Sequence, residues 1–176
     1  MKMQSLRRPA MKFLKLAALF LPALFLSGCG YSAGSLNKSG VTRLNIPVFK
    51  NHVYEPNLGV LLTGTVVKRF QMDGSIQIAD EQDADAVLKG AITKFELSPA
   101  RFRVETERTV REYILYITVS YSVTKKGDQR PFQSGEVSGS TSFFVGDDLA
   151  SDKRQGISYA AEEIGGQLVT KVTEGW

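Results

Sequence analysis

The 176-residue chain carries 22 lysine and arginine residues against 18 acidic ones, a formal charge of +4 with a pI near 9.2, and has one cysteine and one histidine. A lone cysteine excludes an intrachain disulfide, and without a His or Cys pair no zinc ligand set exists, so the fold must rest on its core. Five of the bases precede residue 29 and every acid follows it, so the remainder carries a charge of −1 and the nucleic-acid reading that a basic chain invites is withdrawn.

Lys2, Arg7, Arg8, Lys12 and Lys15 precede an uncharged run of Leu, Ala and Phe from Leu16 to Leu26. As a helix this run rises about 16 Å, half of the roughly 30 Å hydrocarbon core, so it reads as a signal-peptide core rather than a spanning helix. Arg7-Arg8 is followed at once by Pro9, which argues for ordinary rather than twin-arginine export. The run closes in Leu26-Ser27-Gly28-Cys29, which resembles the bacterial lipoprotein signal. That resemblance implies removal of residues 1–28 and a covalent diacylglycerol and N-acyl chain on Cys29, more than the single chain that binds membranes only marginally. Residues 29–40 then form the lipidated N-terminus and a Gly- and Ser-rich tether with a reach of roughly 17–20 Å, leaving 41–174 as one domain.

The first strand is expected over Arg43–Phe49, where Leu44, Ile46 and Val48 alternate and Pro47 marks an edge or end. A helix follows from about Pro56 to Met72, with Leu58, Leu61, Leu62, Val66 and Phe70 on one face. Gly59 and Gly64 each weaken it by about 1 kcal/mol relative to alanine, so packing must support it. Asp73-Gly74 ends the helix, Ile76 and Ile78 begin a short strand, and Asp80–Asp85 forms an acidic loop. Ala86, Leu88, Gly90 and Ile92 then share one strand face opposite Val87, Ala91, Phe95 and Leu97, until Ser98-Pro99 interrupts. A second long strand alternates Tyr113, Leu115, Ile117, Val119, Tyr121 and Val123 with polar neighbours that include Thr118, Ser120 and Ser122. Lys126-Gly127-Asp128 turns the chain into a glycine-rich strand over 132–145. A closing helix over 149–173 carries an apolar stripe of Ile157, Ala160, Ala161, Ile164, Leu168 and Val172, with a bend expected at Gly165-Gly166. Together these elements predict an α+β, two-layer fold: a small mixed or antiparallel sheet of four to five strands with two helices packed on one face.

Catalytic patterns are lacking. His52 lies in a loop, there is no G-x-S-x-G and no phosphate-binding glycine loop, and the acidic group Glu81, Asp83 and Asp85 has Ala86 and Ile92 where a calcium loop needs glycine and glutamate. Asp147-Asp148 reads as a helix cap rather than a carboxylate pair. The polar concentration that does stand out lies between the two long strands, where Arg101, Arg103, Arg108 and Arg111 interleave with Glu105, Glu107 and Glu112. A hairpin brings them to one tip, either as cross-strand ion pairs or as an anion-recognition site suited to phosphate. Lys125, Lys126 and Arg130 form a second, weaker basic cluster at the other end of the same strand.

Several short motifs occur in order: Gly28-Cys29-Gly30-Tyr31, Ile46-Pro47-Val48-Phe49-Lys50-Asn51, Tyr54-Glu55-Pro56, the block Ala84–Ile92, and Glu112-Tyr113 heading a long strand. In this order, behind a lipoprotein signal, the chain resembles the LptE lipopolysaccharide-assembly lipoproteins. The resemblance implies a non-enzymatic outer-membrane lipoprotein on the periplasmic side. It would plug the lumen of an LptD-type β-barrel, assist its assembly, and bind lipopolysaccharide during delivery to the outer leaflet, as part of a heterocomplex. Gly30 after the cysteine, in place of the aspartate of inner-membrane retention, agrees with outer-membrane sorting. The strand ending Pro47–Asn51 before a helix also resembles periplasmic lipoproteins that activate a peptidoglycan synthase, an alternative that predicts a regulatory protein surface and no glycolipid affinity.

Overall fold

The structure, a computed structural model, describes residues 39–102, 110–146 and 148–174, with no side-chain description at positions 101, 102, 110 and 111. Cys29, the signal and the tether as far as residue 38 lie outside the described residues. Among the described residues six strands and two helices follow in the order β1 (Arg43–Asn45), β2 (Lys50–Asn51), α1 (Leu58–Asp73), β3 (Gln77–Ile78), β4 (Ala86–Phe102), β5 (Val110–Lys125), β6 (Gln133–Phe144) and α2 (Leu149–Glu174). The sheet runs β3-β1-β4-β5-β6, parallel where β1 meets β3 and β4 and antiparallel across β4, β5 and β6. The fold is α+β as expected, with six strands rather than four or five.

The additional strand arises because the expected first strand is split. Leu44 and Asn45 pair with Ala86 and Val87, and Lys50 and Asn51 pair with Ala91 and Ile92 on the same edge of β4. Between them the chain leaves the ladder at Pro47, which has no N–H to donate. Ile46 and Phe49 turn inward, while Pro47 and Val48 stay exposed. The buried Phe49 N–H is satisfied by Thr63 Oγ1 at 2.9 Å, and that hydroxyl donates to Gly59 O at 2.7 Å. The Phe49 ring lies where a side chain on residue 90 would stand, its carbons 2.7 Å from the position of a Cβ added to Gly90.

Helix α1 begins two residues later than the proline suggested. Asn57 adopts a left-handed conformation (φ 60°) and its carbonyl accepts the Leu61 N–H at 3.1 Å, so the first turn starts at Leu58. The left-handed Gly74 closes the helix by donating to Phe70 O at 3.0 Å. Leu58, Leu62, Val66 and Phe70 are buried in the core with Ile157, Ala160, Ala161, Ile164, Leu168 and Val172 of α2 and with Leu88, Ile92, Leu115, Ile117 and Val119 of the sheet. Gly165-Gly166 does not interrupt α2, which runs unbroken from Leu149 to Glu174. Gly165 instead lies at the contact with α1, where an added Cβ would be 3.2 Å from Arg69 Cβ and 3.6 Å from Val66 Cα. Asp148 caps α2, its Oδ1 accepting the Ala150 N–H at 3.0 Å.

Both helices cover one face of the sheet. Strand β4 departs from the expected parity: its register with β5 shifts between Ile92 and Lys94, so Phe95 and Leu97 oppose Ile117 and Leu115 and pack against the core. Lys94 and Glu96 consequently share the other face, where they form an ion pair at 3.0 Å. β4 also continues through Pro99 to Phe102, a position a proline can occupy because, among the described residues, no strand pairs with β4 there on its outer edge.

Candidate functional site: two basic ends and a lysine groove

The long β4-β5 pair separates the two basic clusters. Arg101 aligns with Glu112 near the far end of the pair, in the row where Glu112 also aligns with Phe144 of β6, and Arg111 lies beside it on β5. Arg103 and Arg108 fall outside the described residues, as do the side chains of Arg101 and Arg111. The backbone register alone places the ends of the expected tip together. Lys125, Lys126 and Arg130 lie at the opposite end of β5, roughly 50 Å away at the rise of an extended strand. There Lys125 Nζ sits 5.1 Å above the Phe132 ring and Lys126 Nζ donates to Gln82 O, while Arg130 is exposed. Lys125 therefore packs across the β5-β6 connection, and Lys126 ties that turn to the acidic loop.

The acidic loop is likewise structural at Asp85. Its Oδ2 accepts the Thr42 hydroxyl at 2.5 Å and the Arg43 N–H at 2.9 Å, and its Oδ1 accepts an Arg43 guanidinium N–H at 3.0 Å. These donors hold the carboxyl at about 2, below its ordinary 3.8, with the Thr42 hydroxyl the largest cause. Among the described residues no group of three His, Cys, Asp or Glu side chains could hold a metal ion, and no helix is long and apolar enough to cross a membrane. His52 belongs to the backbone of the sheet edge, where its N–H donates to Ile92 O at 3.2 Å. Glu55 and Lys153, both partly buried, form an ion pair at 2.9 Å that joins the segment ahead of α1 to the first turns of α2.

The face of the sheet away from the helices is polar and holds a groove of about 520 Å³. It opens where the chain departs from β4 between β1 and β2, so that Pro47 and Val48 form one wall, and Ala91, Ser120 and Ser122 line the floor. Lys50 and Lys89 stand at its margin, both exposed. Strand register puts them on one face: Lys50 aligns with Ala91 and Ala91 with Ser120, while Lys89 aligns with Ser122. Among the described residues neither lysine is ion-paired. The sequence-based reading missed this pair, because the two lysines are 39 positions apart. The one available signal was Lys89 itself, alternating onto the polar face of an otherwise apolar block.

Residues 41–172, nearly all of the described domain, match the family LptE, described as lipopolysaccharide-assembly. A search of curated proteins gives no match. Among solved structures, the fold is similar to a Xanthomonas campestris protein of the DUF330 group (TM-score 0.56, 16% identity, 76% of this chain and 85% of the other). It is similar also to the hypothetical protein CT253 of Chlamydia trachomatis (TM-score 0.55, 9% identity, 75% and 95%). A candidate lipoprotein of Caulobacter crescentus shares it too (TM-score 0.51, 13% identity, 73% and 89%). At these identities the neighbours establish the fold alone, whereas the family match spans the domain from β1 to the last turn of α2. The chain belongs to the LptE lipopolysaccharide-assembly family.

Proposed function

We propose that the protein is a non-catalytic lipoprotein, anchored through Cys29 on the periplasmic side of the outer membrane. In this reading it seats in the lumen of an LptD-type β-barrel, assists assembly of that barrel, and binds lipopolysaccharide on its way to the outer leaflet. The observation that carries this is the family match across residues 41–172. Chemistry agrees with it: the open sheet face presents Thr118, Ser120, Ser122, Ser138, Ser140 and Ser142, side chains that suit the polar interior of a barrel. In this reading Arg101, Arg103, Arg108 and Arg111 supply planar forks for the phosphates of the glycolipid.

The test is affinity purification of the full-length protein from detergent-solubilised envelopes. A large outer-membrane β-barrel copurifies; recovery of a penicillin-binding synthase in its place, or of no barrel, refutes the assignment. For the tip, the Arg101→Ala, Arg103→Ala, Arg108→Ala and Arg111→Ala variant weakens lipopolysaccharide binding while a thermal melt shows that it still folds cooperatively. Unchanged affinity in the folded variant removes the tip from the binding surface.

A further inference from the structure

From the groove on the open sheet face we infer a second anion site, distinct from the arginine tip: Lys50 and Lys89 together hold the phosphate of a phosphorylated saccharide whose sugar lies along Ser120, Ser122 and Val48. The inference rests on the glycolipid reading above and assigns it a subsite.

Lys50 and Lys89 occupy adjacent parallel strands, displaced by two residues along β4 from the aligned pair Lys50 and Ala91. That diagonal separates their Cα atoms by about 7–8 Å, and each four-carbon stem is long enough for both ammonium groups to converge on one phosphate. Two like charges at this spacing, with no carboxylate paired to either among the described residues, leave a local positive field that an incoming anion neutralises. Nearby acids are committed elsewhere or remote. Glu96 is paired with Lys94, and Glu136 aligns with Ser120, two strands from Lys89 and three from Lys50.

The space argues for more than an inorganic ion. A groove of about 520 Å³ far exceeds one phosphate and falls in the range of small-ligand sites. Its lining sorts by chemistry. The hydroxyls of Ser120 and Ser122 offer donors and acceptors to sugar hydroxyls, while Val48, 61% exposed, and Pro47 give an apolar wall for a pyranose face. The wall exists only because the chain leaves the ladder between β1 and β2, so the split of the first strand is what builds the site.

The test is a titration of the isotopically labelled full-length chain in a non-ionic detergent, followed by NMR amide shifts, with glucosamine 1-phosphate, glucosamine and inorganic phosphate as separate probes at low salt. Glucosamine 1-phosphate shifts the amides of Lys50, Lys89, Ser120 and Ser122 saturably, and the Lys50→Gln and Lys89→Gln double variant binds it roughly tenfold more weakly. Equal affinity for inorganic phosphate overturns the saccharide assignment, and either absent shifts or unchanged affinity in the double variant overturns the site. Because both lysines are exposed, the variant retains the parent spectrum outside the groove. Barrel copurification is read separately on the parent chain, so a failed assembly role and a failed groove give different results.

Discussion

Gly139 on β6 faces the middle of α2, and alanine there tests how closely that helix is seated. A Cβ at residue 139 would lie 2.2 Å from Ala160 O and 3.0 Å from both Ala160 C and Ile164 Cγ1. Ordinary contact begins near 3.4 Å, so the helix backbone must retreat by more than an ångström, and no rotamer change can relieve a clash with a carbonyl. Overpacking of this kind costs about 1–3 kcal/mol, and the backbone origin of the clash places Gly139→Ala at about 3 kcal/mol. In a domain of this size that lowers the melting temperature by roughly 8–10 °C. The internal control is Gly64→Ala, on the exposed side of α1, where an added Cβ meets nothing within 4 Å. It gains about 0.5–1 kcal/mol from helix propensity and raises the melting temperature by a few degrees. Thermal melts followed by far-UV circular dichroism check both. A Gly139→Ala protein as stable as the parent refutes the seating of α2 on β6 described above.

Thr63→Val keeps the shape of the side chain but leaves the buried Phe49 N–H without its acceptor, and costs about 2 kcal/mol in urea unfolding. A loss under about 0.5 kcal/mol would show that this hydroxyl is not what holds the departure from β4. Asp85 titrates at about 2 when folded, below its ordinary 3.8. Because the folded value is the lower one, its contribution is complete above about pH 4 and is lost as the pH falls through about 2. Asp85→Asn therefore flattens the pH dependence of the urea midpoint across that window, and an unchanged slope contradicts the Thr42 and Arg43 contacts.

Where one face of an element is buried along its whole length, spacing was sufficient to read it. Every member of the α2 stripe from Ile157 to Val172 is buried, and so are Leu115, Ile117 and Val119 of β5. Period-two reading failed at Phe95 and Leu97, since a register shift after Ile92 exchanges the faces of the residues that follow it as far as Pro99. Local reasoning also took Gly165 as a bend, whereas its small size serves a helix-helix contact that is fixed by tertiary packing. The buried Thr63 was hidden for the same reason: its partner, Phe49 N–H, is unpaired only because β1 and β2 separate. The arginine cluster was legible as composition, and the hairpin register brings its ends together. The lysine groove was not legible, because it depends on which residues of β2 and β4 align.

The outer edge of β6 is answered by its own helix. Ser140 N–H donates to Glu163 at 2.9 Å, and Gln167 donates to Ser138 O at 2.8 Å, so side chains of α2 take up main-chain groups that a neighbouring strand would otherwise bind. Exposed edges invite pairing with foreign strands. Through these two contacts α2 withdraws the centre of this edge from that exchange. Under the proposed function, the centre of β6 would then meet a barrel through side chains rather than by adding a strand to it.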